Sequence, residues 1–193
     1  MTTYPLALPT HTGIRSVEFR SVNAVAYERS PFTFAGQAQA SAGQMWAVDV
    51  TLPPMKRSDA EKWVGWLVSL RGQFGTFLIG DPLATAPMGT ATTATITGSS
   101  GSNSVTTAMT GTLLAGDWFS LGSGADQRLY KVTADRSGNG TMYIYPSLRS
   151  AASSATATLT SPKGRFRLSS NETSWSVNEA AIYGISFSAM EAI

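Results

Sequence analysis

Cysteine is absent from the 193 residues. That excludes disulfides, thiolate metal sites and a cysteine nucleophile, and it leaves the redox compartment open. Histidine occurs once, at His11, in a proline-flanked arm. A Ser-His-Asp triad would have to use it, and one histidine without cysteine argues against zinc. His11 therefore reads as an exposed or interface residue of the arm. Charge is also scarce, since Asp, Glu, Lys and Arg make up 13% of the chain, about half the usual share of about 25%. Net charge is +2, and no basic run exceeds Lys56-Arg57. A specific nucleic-acid binder should carry a basic stripe, and this chain does not. No apolar run approaches the roughly 20 residues of a membrane span, so no membrane insertion is expected. Met1–Gly13 has no charged or apolar leader region, so it is not expected to act as a secretory signal.

The most structured text is Pro53–Pro82, PPMKRSDAEKWVGWLVSLRGQFGTFLIGDP. Ala60, Trp63, Val64, Leu67 and Leu70 recur on a 3.6-residue period, with Trp66 at the edge of the same face. This predicts one amphipathic helix with Trp63, Trp66, Leu67 and Leu70 as its core. Ser58 and Glu61 have the spacing of a capping box, and Gly72 is placed to end the helix in the left-handed conformation. Phe74 and Thr76–Ile79 read as a buried strand that Gly80-Asp81-Pro82 closes. A helix this short needs a sheet to lie on.

That sheet is legible on both sides. Met1–Gly13 is an extended arm, ordered only if something holds it. Ile14–Tyr27 alternates as a strand, and Gly36–Gly43 reads as a loop or hairpin tip. Trp46, Val48, Val50 and Leu52 alternate with small or polar residues, and Tyr183, Ile185, Phe187 and Ala189 do the same near the C-terminus. Each set predicts a strand with one buried face. Between them, residues 84–163 are rich in Ala, Thr, Ser and Gly, with short strands spaced by turns. The expected fold class is mainly β with one principal helix (α+β). A split β-barrel or sandwich, residues 1–83 plus 164–193, carries a small inserted β-barrel or sandwich, residues 84–163.

Chemistry is thin. Asp135–Gly140 lacks the alternating acids and terminal Glu of a calcium loop, and reads as a hairpin turn. Gly98–Ser102 lacks the lysine of a phosphate loop. Asp59 and Glu61 suit a helix N-terminus better than acid/base work. Asp117 and Asp126 are the acids left for a polymer hydrolase, and their spacing gives no reason to prefer them. Trp118, Phe119, Tyr130, Tyr143 and Tyr145 concentrate aromatic area in the insertion. Trp118, Tyr130, Tyr143 and Tyr145 either offer a stacking face to a sugar or partner, or fill a small barrel. No enzyme activity, metal or cofactor is expected.

The run Leu52–Pro82, with LPPM, a mixed-charge helix start, W-hydrophobic, SLRG, an aromatic strand and GDP, resembles tail proteins of long-tailed, non-contractile bacteriophages. The insertion text AGDWFSLG, LYKVTAD and MYIYPSLR resembles repeated tail material of the same viruses. The nearest type is the distal tail protein. The resemblance implies a tail-tube-like domain that assembles as a hexameric ring in the virion tail, after assembly in the host cytoplasm. One ring face would meet the tail tube protein, and the other would hold hub or fibre proteins. The insertion would project outward toward fibres or host-surface glycan. DNA would pass through the ring without specific binding. Low charge is compatible with subunit interfaces. Strand edges at 46–52 and 183–189 would then pair between neighbours. Two further readings stay open beside the structural one: a carbohydrate- or receptor-binding module, and a cell-wall or capsule hydrolase.

Overall fold

The computed structural model describes residues 3–9, 13–179 and 181–193; His11 lies outside them. In chain order, β1 (Ser16–Arg29) and β2 (Gly36–Thr51) form a long antiparallel hairpin. β3 (Met55–Lys56) leads into α1 (Arg57–Ser69), followed by β4 (Phe77–Ile79). Eight strands come next: β5 (Ala94–Gly98), β6 (Ser104–Met109), β7 (Thr112–Leu113), β8 (Trp118–Leu121), β9 (Arg128–Val132), β10 (Arg136–Ser137), β11 (Gly140–Tyr145) and β12 (Ala152–Ala157). The chain ends with β13 (Gly164–Leu168), β14 (Trp175–Val177) and β15 (Ile182–Glu191). Among the described residues the protein is mainly β with a single α-helix, the α+β class expected.

One sheet runs β1-β2-β15-β13-β4, with β3 and β14 on either side of the first half of β15. It draws strands from both ends of the chain. The second sheet, β12-β5-β6-β11-β9-β8, uses only the middle. A bridge between Ser120 and Thr158 brings β8 back beside the strand end after β12, so this sheet nearly closes into a barrel. Where the chain leaves and re-enters the first sheet, Gly80 lies against Pro162, and a β-carbon at 80 would collide with the Pro162 carbonyl.

Register explains the first core. Val48 faces Ala189 and Val50 faces Phe187, so the buried phases of β2 and β15 coincide. Helix α1 lies on that face. Trp66 meets Phe77 at 5.0 Å and Phe187 at 5.7 Å between ring centres. Ala60, Trp63, Val64, Trp66, Leu67 and Leu70 are all buried. Burying each large one contributes roughly 1.5–3 kcal/mol before ordering entropy.

The ends of the helix differ from the sequence reading. Met55 and Lys56 pair with Tyr183 and Ile182, so the helix starts directly after β3. Lys56 takes the extended N-cap position and no side chain caps it. Ser58 falls inside the first turn. Glu61 accepts from the Tyr183 hydroxyl at 3.3 Å and pairs with Arg57 at 3.6 Å, so no capping box forms. At the other end Arg71 as well as Gly72 is left-handed, and Phe74 is exposed rather than part of a buried strand.

Two further expectations are corrected. Gly36–Gly43 belongs to β2, and the turn is Ser30–Ala35 instead. The strands at 46–52 and 183–189 are interior strands, with β2 between β1 and β15, and β15 between β2 and β13. They have no free rims to offer a neighbour.

Candidate functional site

The aromatic residues of the middle segment form a seam between the two sheets. Trp118 lies 4.9 Å from Trp46 and 5.2 Å from Phe19, ring centre to ring centre. Lys131 covers the Trp118 ring at 4.3 Å, a cation–π contact. Trp118 is 7% exposed and Tyr130 1%. Tyr130 stacks on Phe119 at 5.3 Å, and its hydroxyl accepts from the Arg149 amide at 3.1 Å. Tyr145 packs against Trp46 at 4.8 Å and donates to the Val22 and Met45 carbonyls at 3.0 and 3.3 Å. Burial first, then the Glu191 charge, hold the Tyr130 and Tyr145 hydroxyls in the protonated form beyond the ordinary tyrosine range, against the opposing effect of Arg149.

The expected stacking face is therefore not assembled. Trp118 and Tyr145 are taken up by the seam and Tyr130 by the second core, and Tyr143 alone of the four stands out, at 53% exposure. The small-barrel reading is met in part: Phe119 and Tyr130 fill the second core, whereas Trp118 belongs to the first.

Sequence reasoning missed the ion pair at the centre of this seam. Glu191 is inward-facing on β15, in phase with Tyr183, Ile185, Phe187 and Ala189. Arg149 grips it with two bonds, Nε to Oε1 at 3.1 Å and Nη2 to Oε2 at 2.6 Å. The same carboxylate accepts from the Trp46 amide at 3.2 Å, and Arg149 Nη2 also donates to the Gln44 carbonyl at 2.5 Å. Ser147 donates to Gln44 Oε1 through both its amide and its hydroxyl, each at 2.9 Å. The one available sequence signal was an acid in the buried phase of a strand.

Past Gln44 the hairpin has no such partners. The β1–β2 ladder breaks register between Asn23 and Val25, and beyond that break both faces of both strands are exposed. Val25, Tyr27, Phe32 and Phe34 are large apolar side chains in water, Phe32 at 92%. Among the described residues β1 pairs with no strand but β2, so it is an edge strand of the sheet, met on its other side only by side chains such as Tyr145 at Val22. The opposite edge of the sheet is closed. Leu6 bonds to Thr76 and Leu78 across β4, while Tyr4 donates to the Ser69 carbonyl at 2.6 Å and Trp66 to the Ala7 carbonyl at 2.8 Å. Residues 3–9 of the N-terminal arm are thus held by their own chain.

Asp117 and Asp126 sit in different settings. Asp117 is buried and accepts from the Met88, Gly89 and Leu114 amides at 2.6, 3.2 and 2.8 Å, which anchors a loop. Asp126 is exposed in a short turn. Among the described residues no group of three His, Cys, Asp or Glu side chains is placed to hold a metal. No helix of the described chain is long and apolar enough to cross a membrane. Comparison with protein-family models and with curated proteins finds no match. What the described residues leave uncovered is the hairpin beyond Gln44 and the outer edge of β1.

Proposed function

We propose that this chain is a structural protein that forms a ring at the distal end of a long non-contractile phage tail, between the tail tube and the hub or fibre proteins. The observation that carries this reading is the hairpin beyond Asn23 and Gln44, which exposes apolar side chains on both faces and leaves one strand edge unpaired. Such an edge on a lone chain invites uncontrolled pairing, and a closed ring removes it. The tail-like run at Leu52–Pro82 supports the same reading. It spans the helix and the strand that hold the sheet together. A surface poor in charge suits subunit contacts and a lumen past which DNA slides. The glycan-binding alternative has less support, since, of the four aromatic side chains it rests on, Trp118 and Tyr130 are buried and Tyr145 is half-buried.

Native mass spectrometry and negative-stain images of the purified chain test ring formation, and antibody labelling of virions tests its place. Closed oligomers, with label at the tail tip, are the expected result. A chain that stays monomeric at high concentration and is absent from particles would remove the reading.

A further inference from the structure

The tip of the hairpin is built with care. Ser30 donates to the Ala35 carbonyl at 2.9 Å and accepts from the Phe34 amide at 3.0 Å through its own carbonyl. The Ser30 hydroxyl accepts from the Phe32 and Thr33 amides, both at 3.3 Å. Arg29 donates to the Phe34 carbonyl at 3.2 Å and lies 4.5 Å over the Phe34 ring. Phe34 holds a φ of 57°, a left-handed backbone that bulky residues rarely adopt. With this bonding the tip leaves both phenylalanines largely in water, Phe32 more than Phe34. Strain maintained at an exposed site points to use of that site.

An uncharged depression lies at the other end of the sheet. A cavity of about 260 Å³ is lined by Pro54, Ser176, Val177, Asn178, Ile182, Tyr183 and Gly184, none of them charged. Trp175, Val177 and Ile182 are exposed at or beside it. The cavity is an open depression on the surface rather than an enclosed hole, so a side chain from outside can reach its apolar floor. Residues 30–35 of the tip carry no charge either; the nearest ion, Arg29, donates to the Phe34 carbonyl and stacks on the Phe34 ring, so it can stay at the rim of such a contact with its charge in water.

The two halves cannot meet within one molecule. Tyr183 and Ile182 pair with Met55 and Lys56, beyond the Thr51 end of β2, whereas the tip lies beyond the Gly36 end. The 16 residues of β2 alone span about 50 Å at about 3.3 Å per residue. We propose that Phe32 and Phe34 of one copy dock at the Val177–Ile182 cavity of a second copy, in a head-to-tail contact. A contact whose halves differ is heterologous: it closes into a ring when the rotation allows and otherwise propagates. Aromatic side chains seated in a pocket are the usual anchors of such interfaces. The inference rests on the reading that copies of this chain assemble together.

The experiment uses the full chain and two variants. Phe32→Asp with Phe34→Gly destroys the tip, and Val177→Asp with Ile182→Asp destroys the cavity. Circular dichroism checks that each folds. Sedimentation velocity should show self-association of each variant alone weakened by more than about tenfold, as for loss of a hot spot. Mixed, they should form a 1:1 pair that grows no further, because each supplies the half the other lacks. A pocket variant that assembles like the parent, or a mixture that does not pair, would overturn the proposal. If the cavity variant fails to fold, the absence of native cysteine offers a milder route. Phe32→Cys mixed with Ile182→Cys should oxidise to a heterodimer, since a disulfide needs α-carbons within about 7 Å. Homodimers of Phe32→Cys that form faster than the heterodimer in the mixture would instead indicate tip-to-tip contact and overturn it. A ring that persists in the tip variant sinks this contact and leaves the ring reading standing. Tip-dependent pairing of a chain absent from virions does the reverse.

Discussion

Glu191 is a carboxylate held among aromatic rings, and Arg149 is what makes that position tolerable. The Glu191 side chain is 1% exposed, so removing its partner strands a charge in a medium that solvates it poorly. Arg149→Ala should therefore cost about 3–5 kcal/mol, the range for breaking a buried pair. Arg149→Met with Glu191→Leu should cost much less, because the pair is exchanged for apolar packing. Urea titrations of the two variants decide the matter. Arg149's bond to the Gln44 carbonyl is lost in both, so equal losses would show that the Trp46 amide, left without its acceptor only in the second, costs as much as the stranded charge. The same seam explains why the aromatic residues gave no ligand platform. Composition marks Trp118 and Tyr130 as large and half-polar, and such residues serve a core as readily as a surface. Only the fold placed Trp46 and Phe19 opposite Trp118, and Phe119 under Tyr130.

At the scale of elements, the apolar stripe of α1 was legible because it depends on period alone, and period survives a shift of one or two residues at the ends. The cap was misread because it depends on where the helix starts. Pairing of Met55 and Lys56 with β15 moves the start upstream of Ser58. It follows that Ser58→Ala should change stability by less than about 0.5 kcal/mol, as for an ordinary surface substitution. Lys56→Asp should instead add about 0.5–1 kcal/mol by supplying the missing cap. Thermal unfolding of both variants checks the pair, and a clear loss from Ser58→Ala would restore the capping box. The hairpin turn was displaced for a related reason. Gly36–Gly43 has the small, polar composition of a turn, yet its ladder to β1 continues to Gly36, and the Ser30 side chain and carbonyl make the real turn at Ser30–Ala35.

For the whole molecule, stability and assembly should separate along the hairpin. Replacing residues 25–40 by Asn-Gly removes no buried side chain and keeps the Gln44 and Val22 contacts with the second sheet. The melting temperature should shift by less than about 4 °C, the effect of about 1 kcal/mol in a chain of this size. Self-association should be lost, which light scattering would read. A large fall in melting temperature would mean that the arm supports the fold. The alternation of residues 46–52 and 183–189, the single helical period and the short strands between them determined a mainly β protein with one helix, because each reflects which side chains must leave water locally. Which strand lies at the rim, which aromatics face inward and where the hairpin ends were decided by tertiary pairing. Those outcomes turn on which distant segment fills each ladder and each hydrogen-bonding position, and a one-dimensional pattern does not contain that choice.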